Sequence, residues 1–153
     1  LSTRMPGVIA LRDVSIDGFA EHRDVLPEVI ARRCEHVIRE NARVEQAVAA
    51  MESGDLESLG RLFAASHQSL RDLYQVSCRE LDVMVELANQ VPGVIASRMT
   101  GGGFGGCTVN LVKAEAVDKL RTLVKEAYPS ATGIEPAVYV CEADDGAAVY
   151  RTD

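Results

Sequence analysis

The stretch Arg98-Met99-Thr100-Gly101-Gly102-Gly103-Phe104-Gly105-Gly106-Cys107 decides the fold, because five glycines fall within six positions between two β-rich segments. Glycine has no Cβ, so its backbone adopts positive φ readily and another molecule can reach the main chain. Successive amides that point the same way form a concave site for an anion. Residues Gly101–Gly106, named here the glycine loop, therefore predict a tight turn. Composition leaves open whether the turn binds an anion or only allows close strand packing, and the number of glycines favours the first.

The segments around the glycine loop predict a β-β-α-β unit. Val94–Thr100 and Cys107–Val112 are short and rich in β-forming residues, so we expect one strand on each side of the loop. Ala114–Tyr128 has apolar residues at helical spacing. Pro136–Glu142 has the composition of a third strand, and Ala147–Tyr150 is a candidate for another short one.

The residues before this unit predict mainly helices. The sequence predicts helices over Pro27–Glu52, Leu56–Leu73 and the residues from Ser77 to Gln90, with a short helical turn at Ile16–Arg23 and extended chain at Gly7–Val14. Gly54 is expected to end the long helix and Asp55 to cap the next. Ser77 and Glu80 have the spacing of a capping box.

One apolar stripe follows the long helix at alternating spacings of four and three residues, which predicts its buried face. Its members are Ile30, Cys34, Val37, Asn41, Val44, Val48 and Met51. Asn41 is either a buried polar residue that sets the helix register or a contact to a further domain. Together the segments predict an α+β fold, in which helices pack on one face of a small, mostly antiparallel sheet.

Length and composition indicate one domain over residues 1–153, since 47% of the residues are hydrophobic and 25% are charged. The net charge of −7 argues against a nucleic-acid partner. No apolar run approaches the roughly 20 residues of a membrane helix. The cysteines show no CxxC pairing, so we expect reduced thiols, no metal site and a cytoplasmic location.

Two familiar nucleotide-binding motifs are excluded by their context. Gly101, Gly103 and Gly106 satisfy the pattern G-x-G-x-x-G, but a dinucleotide site needs a helix directly after the glycines, and a strand is predicted there. A P-loop ends in Gly-Lys-Ser/Thr, whereas this loop ends in Gly-Gly-Cys.

Other polar residues are weaker candidates for chemistry. His67 lies near Arg71 and Asp72 in sequence, but it is expected to be a hydrogen-bonded residue beside the apolar face and not half of a catalytic pair. Ser66 is expected to bond a carbonyl of its own helix. Cys107 has no basic neighbour in sequence, so we expect an inert, packed thiol.

Residues Ser97–Val109 closely resemble the third sequence motif of galactokinases, members of the GHMP family of sugar and small-molecule kinases. Further stretches that are similar to these kinases in order and spacing are Ala10–Val14, Ser66–Asp72, Tyr74–Asp82 and Thr132–Pro136. The resemblance covers residues 8–142. It departs from the family pattern at Leu73, where an acidic residue is usual, and at Arg79, where proline is common.

The resemblance implies the ferredoxin-like C-terminal domain of a GHMP kinase and a cytoplasmic sugar phosphotransferase of galactose metabolism. Galactokinases transfer the γ-phosphoryl group of ATP, with Mg²⁺, to the C1 hydroxyl of galactose, which gives galactose 1-phosphate. In the family this motif lies at the cleft between the domains, near the transferred phosphoryl group. The residues that carry over are Thr100, Gly101, Gly102, Gly103, Phe104, Gly105 and Gly106, with main-chain amides and the Thr100 hydroxyl as donors. Arg98 either sets the local potential or makes a structural pair.

The resemblance implies no catalytic residue and no metal ligand in this chain. The sugar-reading first motif, the serine-rich second motif and the catalytic Asp of the family have no counterpart here. Because the chain also starts at Leu1, we expect that a catalytic N-terminal domain is absent and that the chain alone is inactive. The alternatives are a non-catalytic module that binds a small molecule, a galactokinase-like regulator, or a fragment that self-associates through an exposed apolar face.

Overall fold

A computed structural model of the protein describes residues 1, 5–144, 146, 148 and 149. Within them lie five α-helices and one two-stranded antiparallel sheet. In chain order these are α1 (Ile16–His22), α2 (Glu28–Ser53), α3 (Leu56–Ser69), α4 (Arg79–Asn89), β1 (Val94–Thr100), β2 (Cys107–Val112) and α5 (Val117–Thr132). Helices α3 and α4 pack against β1, and α5 packs against α4. The α+β class, with helices against a small antiparallel sheet, is confirmed.

Strands β1 and β2 begin and end at the predicted residues. Their register pairs Thr100 with Cys107 and Arg98 with Val109, and it shifts by one residue between Val94 and Ala96. The glycine loop therefore joins the last pair of the ladder and forms the tip of a β-hairpin.

The predicted third strand is wrong, because Pro136–Glu142 forms no strand. Val138 packs against the core formed with α4 and α5, whereas Tyr139 is 85% exposed. Val140 is 58% exposed as well, so the segment contacts the helices through single side chains and does not join the ladder of β2. Of the further candidate strand, Ala147 and Tyr150 lie outside the described residues.

The helix boundaries follow local signals at most ends. Gly54 takes a left-handed φ of 69° after α2, and the Asp55 side chain accepts the amide of Ser58 at the start of α3, as predicted. Helix α3 continues as a π-helical turn, Leu70–Tyr74. Helix α5 runs four residues past the predicted end at Tyr128 and includes Pro129.

The apolar stripe predicted for α2 is not its buried face. Ile30, Val44, Val48 and Met51 are 45–58% exposed, and Asn41 is exposed as well, so a buried role for Asn41 is excluded. The buried residues of α2 are Ala31, His36, Ile38 and Ala50. Of these, Ala31 and Ile38 pack in an apolar cluster near the N-terminus, whereas His36 bonds to Ser69 of α3, a polar contact that the periodicity of large apolar residues does not reveal.

The segment before α1 is a turn and not the predicted extended chain. Residues Leu11–Asp13 form one 3₁₀ turn. The Asp13 carboxylate accepts the amides of Ile9 and Ala10 at 2.9 and 2.7 Å. This local acceptor competes with extended backbone, as Asp commonly does in turns.

Two apolar clusters form the core. One consists of Ala88, Val91, Ala116, Leu120, Val124 and Tyr128 from α4, α5 and their flanking turns. The other consists of Val14, Phe19, Ala31 and Ile38 near the N-terminus. Each large side chain buried in this way stabilises the fold by about 1.5–3 kcal/mol. Of the helices that the structure describes, none has the length and apolar character needed to cross a membrane.

Candidate functional site

The glycine loop uses backbone conformations that side chains disfavour. Gly101, Gly103, Gly105 and Gly106 have φ values of 80°, 83°, 125° and 93°, and Phe104 has φ of 59°. A left-handed conformation costs an L-residue about 1–2 kcal/mol, and glycine avoids this cost. The path of the turn therefore accounts for four of its five glycines.

The loop is open on the side away from the rest of the chain. A Cβ placed at Gly101, Gly102, Gly105 or Gly106 would meet no heavy atom within 4 Å. Thr100, which precedes these glycines, is exposed. The side chains that the structure describes leave the space around four glycines unfilled, so another molecule can approach the main chain there.

Gly103 is the position at which the loop touches the rest of the chain. A Cβ there would lie 2.1 Å from the carbonyl oxygen of Val76. The amide of Phe104 donates to the same oxygen at 2.7 Å. One side of the loop is thus held by residues Gln75–Ser77, named here the support segment.

The contact with Val76 removes one amide from the set that was predicted to donate to a ligand. The Phe104 amide donates to the Val76 carbonyl and is therefore not available. Across the described ranges, the amides of Gly101, Gly102 and Gly105 have no acceptor outside the strand ladder. Exposed amides that lack an internal acceptor bind water or an anion. The arrangement can therefore hold a group with several oxygen acceptors.

The support segment is fixed by side chains from α2. Arg33 donates to the carbonyl of Leu73 and, at 2.9 Å, to Oε1 of Gln75. Gln75 has a left-handed φ of 60°, and the His36 ring stacks on Tyr74 at a centroid distance of 4.5 Å. These contacts stabilise the sharp change of direction between α3 and α4.

Ser77 connects the support segment to α4, but not through the predicted capping box. Helix α4 begins at Arg79, and the side chain of its N-cap, Cys78, makes no capping hydrogen bond. Ser77 Oγ instead donates to Oδ1 of Asp82 at 2.6 Å. His67 Nε2 lies 3.1 Å from the same oxygen.

His67 lies between Asp82 and strand β1. Its Nδ1 accepts the amide of Met99 at 3.3 Å, so Nε2 carries the proton and donates to Asp82. Burial lowers the pKa of His67, and the opposing influence of Asp82 does not offset it. A neutral ring is the form that this pair of hydrogen bonds requires. His67 is thus a buried, hydrogen-bonded residue.

Arg98 is paired within the chain. Its guanidinium donates to the Met99 carbonyl at 3.0 Å and to Ser66 Oγ at 2.9 Å, and it lies 3.5 Å from Glu40. Burial alone would raise the pKa of Glu40, but hydrogen bonds from Ser66 and Arg43 together bring it below its usual value. Of the two roles considered for Arg98, this geometry favours the structural pair.

Ser66 donates to Glu40 and not to a carbonyl of its own helix, so the expected bond of Ser66 within α3 is wrong.

The expectation of a packed Cys107 is also wrong, because this thiol is exposed at the start of β2. Nothing in the described ranges brings three His, Cys, Asp or Glu side chains together in a way that could hold a metal ion.

Three residues with a structural role at the loop could not be identified from the sequence. Val76 acts through its carbonyl, which any residue possesses. Asp82 and Glu40 bond to residues 15 and 26 positions away, so no local spacing indicates them. Val76 and Asp82 lie in the stretch Tyr74–Asp82, which resembles the kinase family. That resemblance was the one feature of the sequence that could have indicated these two residues.

Comparisons with known proteins identify the family of the chain. The family model for the C-terminal domain of GHMP kinases matches residues 47–130. The chain is 49% identical over 141 residues to a galactokinase of Roseiflexus sp. (strain RS-1), covering 92% of this chain and 36% of that protein. It is 46% identical over 146 residues to a galactokinase of Homo sapiens, covering 95% and 36%. The chain thus spans about a third of the length of these curated relatives.

Solved structures have the same fold. The crystal structure of Lactococcus lactis galactokinase complexed with galactose matches with a TM-score of 0.83 and 36% identity, covering 88% of this chain and 34% of that one. The structure of L. major mevalonate kinase in complex with R-mevalonate matches with a TM-score of 0.57 and 25% identity, covering 82% and 37%. The family model matches more than half of the chain, and it includes both strands and the glycine loop between them. The chain therefore belongs to the GHMP kinase family, through the C-terminal domain that this model describes.

Proposed function

We propose that this chain is the C-terminal part of a galactokinase, which transfers the γ-phosphoryl group of MgATP to the C1 hydroxyl of galactose. The named galactokinases are 46–49% identical to it over more than nine-tenths of its length. The similar Lactococcus lactis structure was solved with galactose. Galactose and MgATP are accordingly the proposed substrates.

The observation that carries the proposal is the open face of the glycine loop. Amides of Gly101, Gly102 and Gly105 without internal acceptors lie next to the exposed Thr100. Phosphoryl transfer depends on donors arranged around phosphoryl oxygens, because negative charge spreads over these oxygens in the transition state. These amides and the Thr100 hydroxyl are the donors that we assign to such a group.

We assign to this chain one wall of the active site and not the whole of it. The base, the second phosphate-binding loop and the sugar contacts are assigned to the remaining length of the relatives. Mg²⁺ enters with the nucleotide as MgATP, and no residue here is assigned as its ligand. We therefore expect the isolated chain to have no kinase activity, and we propose a cytoplasmic enzyme, in keeping with four free cysteines.

Replacing the Thr100 hydroxyl tests the proposal. In the full-length protein that contains this chain, we expect ATP-dependent formation of galactose 1-phosphate. We expect Thr100→Val to lower kcat about 100-fold, as loss of one transition-state donor does, with little change in the KM for galactose. Thr122→Val, at an exposed position of α5, is the matched control. A wild-type protein without this activity would refute the proposed function, and normal kinetics in Thr100→Val would refute the role of Thr100.

A further inference from the structure

Two backbone hydrogen bonds flank the first three glycines of the glycine loop, one before them and one after them. The Met99 amide, two residues before Gly101, donates to His67. The Phe104 amide, directly after Gly103, donates to the carbonyl of Val76. Residues Gly101–Gly103 therefore lie between two fixed points of the backbone.

The acceptors of these two bonds are themselves connected. Val76 is followed by Ser77, whose hydroxyl donates to Asp82, and Asp82 also accepts the Nε2 proton of His67. Hydrogen bonds and chain thus form a closed ring that passes through Met99, the glycines, Phe104, the support segment, Asp82 and His67. We therefore expect a change at a member of the ring to alter the distance between Met99 and Phe104.

We propose that His67, oriented by Asp82, is a positioning residue that sets the direction of the Gly101–Gly103 amides. The inference rests on the proposed function, since two of the positioned amides, those of Gly101 and Gly102, are among the donors assigned to the phosphoryl group. His67 cannot touch the substrate itself, because it is 6% exposed and both of its ring nitrogens are hydrogen-bonded.

A purely packing role does not account for this histidine. The ring nitrogens bond the Met99 amide and the Asp82 carboxylate, and an apolar side chain of the same size would leave both groups without these partners. The Met99 carbonyl is bonded by Arg98, so side chains hold both backbone polar groups of this residue. Met99 has 0% exposure, and it is the last buried residue before the exposed Thr100. The buried polar contacts therefore end where the open loop begins.

Two substitutions separate the bonds of the histidine. In His67→Asn the amide oxygen takes the place of Nδ1 and can accept the Met99 amide, but the contact with Asp82 is lost. In His67→Gln the amide nitrogen takes the place of Nε2 and can donate to Asp82, but Met99 loses its acceptor. If the Met99 contact positions the loop, kcat of the full-length protein falls at least about tenfold further in His67→Gln than in His67→Asn, as expected for displaced transition-state contacts. The KM for galactose stays the same in both.

Hydrogen exchange, followed by mass spectrometry of the peptide that contains residues 97–104, provides a readout independent of activity. We expect faster exchange of this peptide in His67→Gln than in His67→Asn. Ser77→Ala, which removes only one donor to Asp82, is expected to change kcat and exchange in the same direction by a smaller amount, and it keeps the test valid if a histidine variant does not fold.

The outcomes distinguish this inference from the proposed function. Equal kcat and equal hydrogen exchange in the two histidine variants would overturn the positioning role. If His67→Gln does not fold, wild-type kcat and wild-type exchange in Ser77→Ala would overturn it instead. A wild-type protein that does not phosphorylate galactose would overturn the proposed function and, with it, the catalytic part of the inference. The exchange data would then still decide whether His67 holds the loop.

Discussion

The glycine loop and the polar residues beside it contrast in almost every property. The loop has an open surface, left-handed backbone and amides without internal acceptors. The adjacent polar cluster, defined here as Glu40, Ser66, His67, Asp82 and Arg98, is buried or half-buried, and its side chains bond to one another or to β1. The difference teaches how loop amides without internal acceptors can have defined positions. The hydrogen-bonded side chains of the polar cluster make the adjacent backbone rigid.

This division fits the role in phosphoryl transfer that we propose for the loop. Donors that are already aimed at the developing charge need no reorganisation during the reaction. A flexible loop of five glycines would lose that advantage, because fixing each residue costs roughly 1–2 kcal/mol of backbone entropy. The bonds at Met99 and Phe104 reduce this cost before a substrate binds. The predictions that follow test the contrast between the open loop and its buried neighbours.

The largest effect is expected at Gly103, where the two regions meet. Gly103→Ala places a Cβ 2.1 Å from the Val76 oxygen at a φ of 83°, so we expect a loss of about 2–4 kcal/mol of unfolding free energy from overlap and strain. Gly102→Ala is the matched control, because its Cβ has no neighbour within 4 Å and its φ is not positive. Urea denaturation should show a change within about 0.5 kcal/mol for the control. Equal losses in the two variants would mean that the contact with Val76 does not hold the loop.

A pH titration tests the buried side of the contrast. Burial lowers the pKa of both His67 and His36. The unfolded chain takes up protons near pH 6.5 that the folded chain does not, so stability is fully present above that pH and falls as the pH decreases below it. The slope is at most about 1.4 kcal/mol per pH unit for each histidine. Urea unfolding at pH 7.5, 6.5 and 5.5 should show this fall, and His67→Asn should reduce it. A flat profile would indicate that the rings are not neutral in the folded state.

The smallest effect is expected at Phe104, on the open side. Its side chain is 78% exposed and its φ is 59°, a conformation that asparagine tolerates better. We expect Phe104→Asn to raise the unfolding free energy by about 0.5–1 kcal/mol through relief of strain. Tyr139→Asn, at a residue that is 85% exposed and lacks positive φ, should leave stability unchanged. Thermal unfolding of both variants provides the measurement, and destabilisation by Phe104→Asn would show that the ring packs in the folded chain.

The sequence predicted the elements whose signals are local. Glycine clustering between β-rich segments located both strands to the residue, and Gly54 and Asp55 located the boundary between α2 and α3. Backbone preferences of single residues are sufficient for such features. The predicted strand Pro136–Glu142 is wrong because a strand also needs a partner, and the composition of one segment does not specify the partner.

The parts that could not be predicted depend on contacts between distant residues. The apolar stripe of α2 was assigned to the interior, but α2 meets α3 through a different face, on which His36 and Glu40 bond to serines of α3. The bond from His67 to Met99 joins residues 32 positions apart. Glu40 and Arg98 are 58 positions apart. The open face of the loop could be anticipated from its glycines, whereas the bonds that fix its direction required the structure.

Gly60 makes the geometry of the loop sensitive to a remote position. A Cβ at this residue of α3 would lie 2.5 Å from the carbonyl oxygen of Ile95 in β1. Helix and strand are therefore so close that only glycine fits at position 60 without a shift of the backbone. Seven residues, or roughly 10 Å of helix, separate Gly60 from His67. A larger side chain at position 60 would push α3 outward and carry the imidazole away from the Met99 amide. We therefore expect a larger side chain at this glycine to lower turnover in the proposed galactokinase while every group assigned to the phosphates keeps its identity.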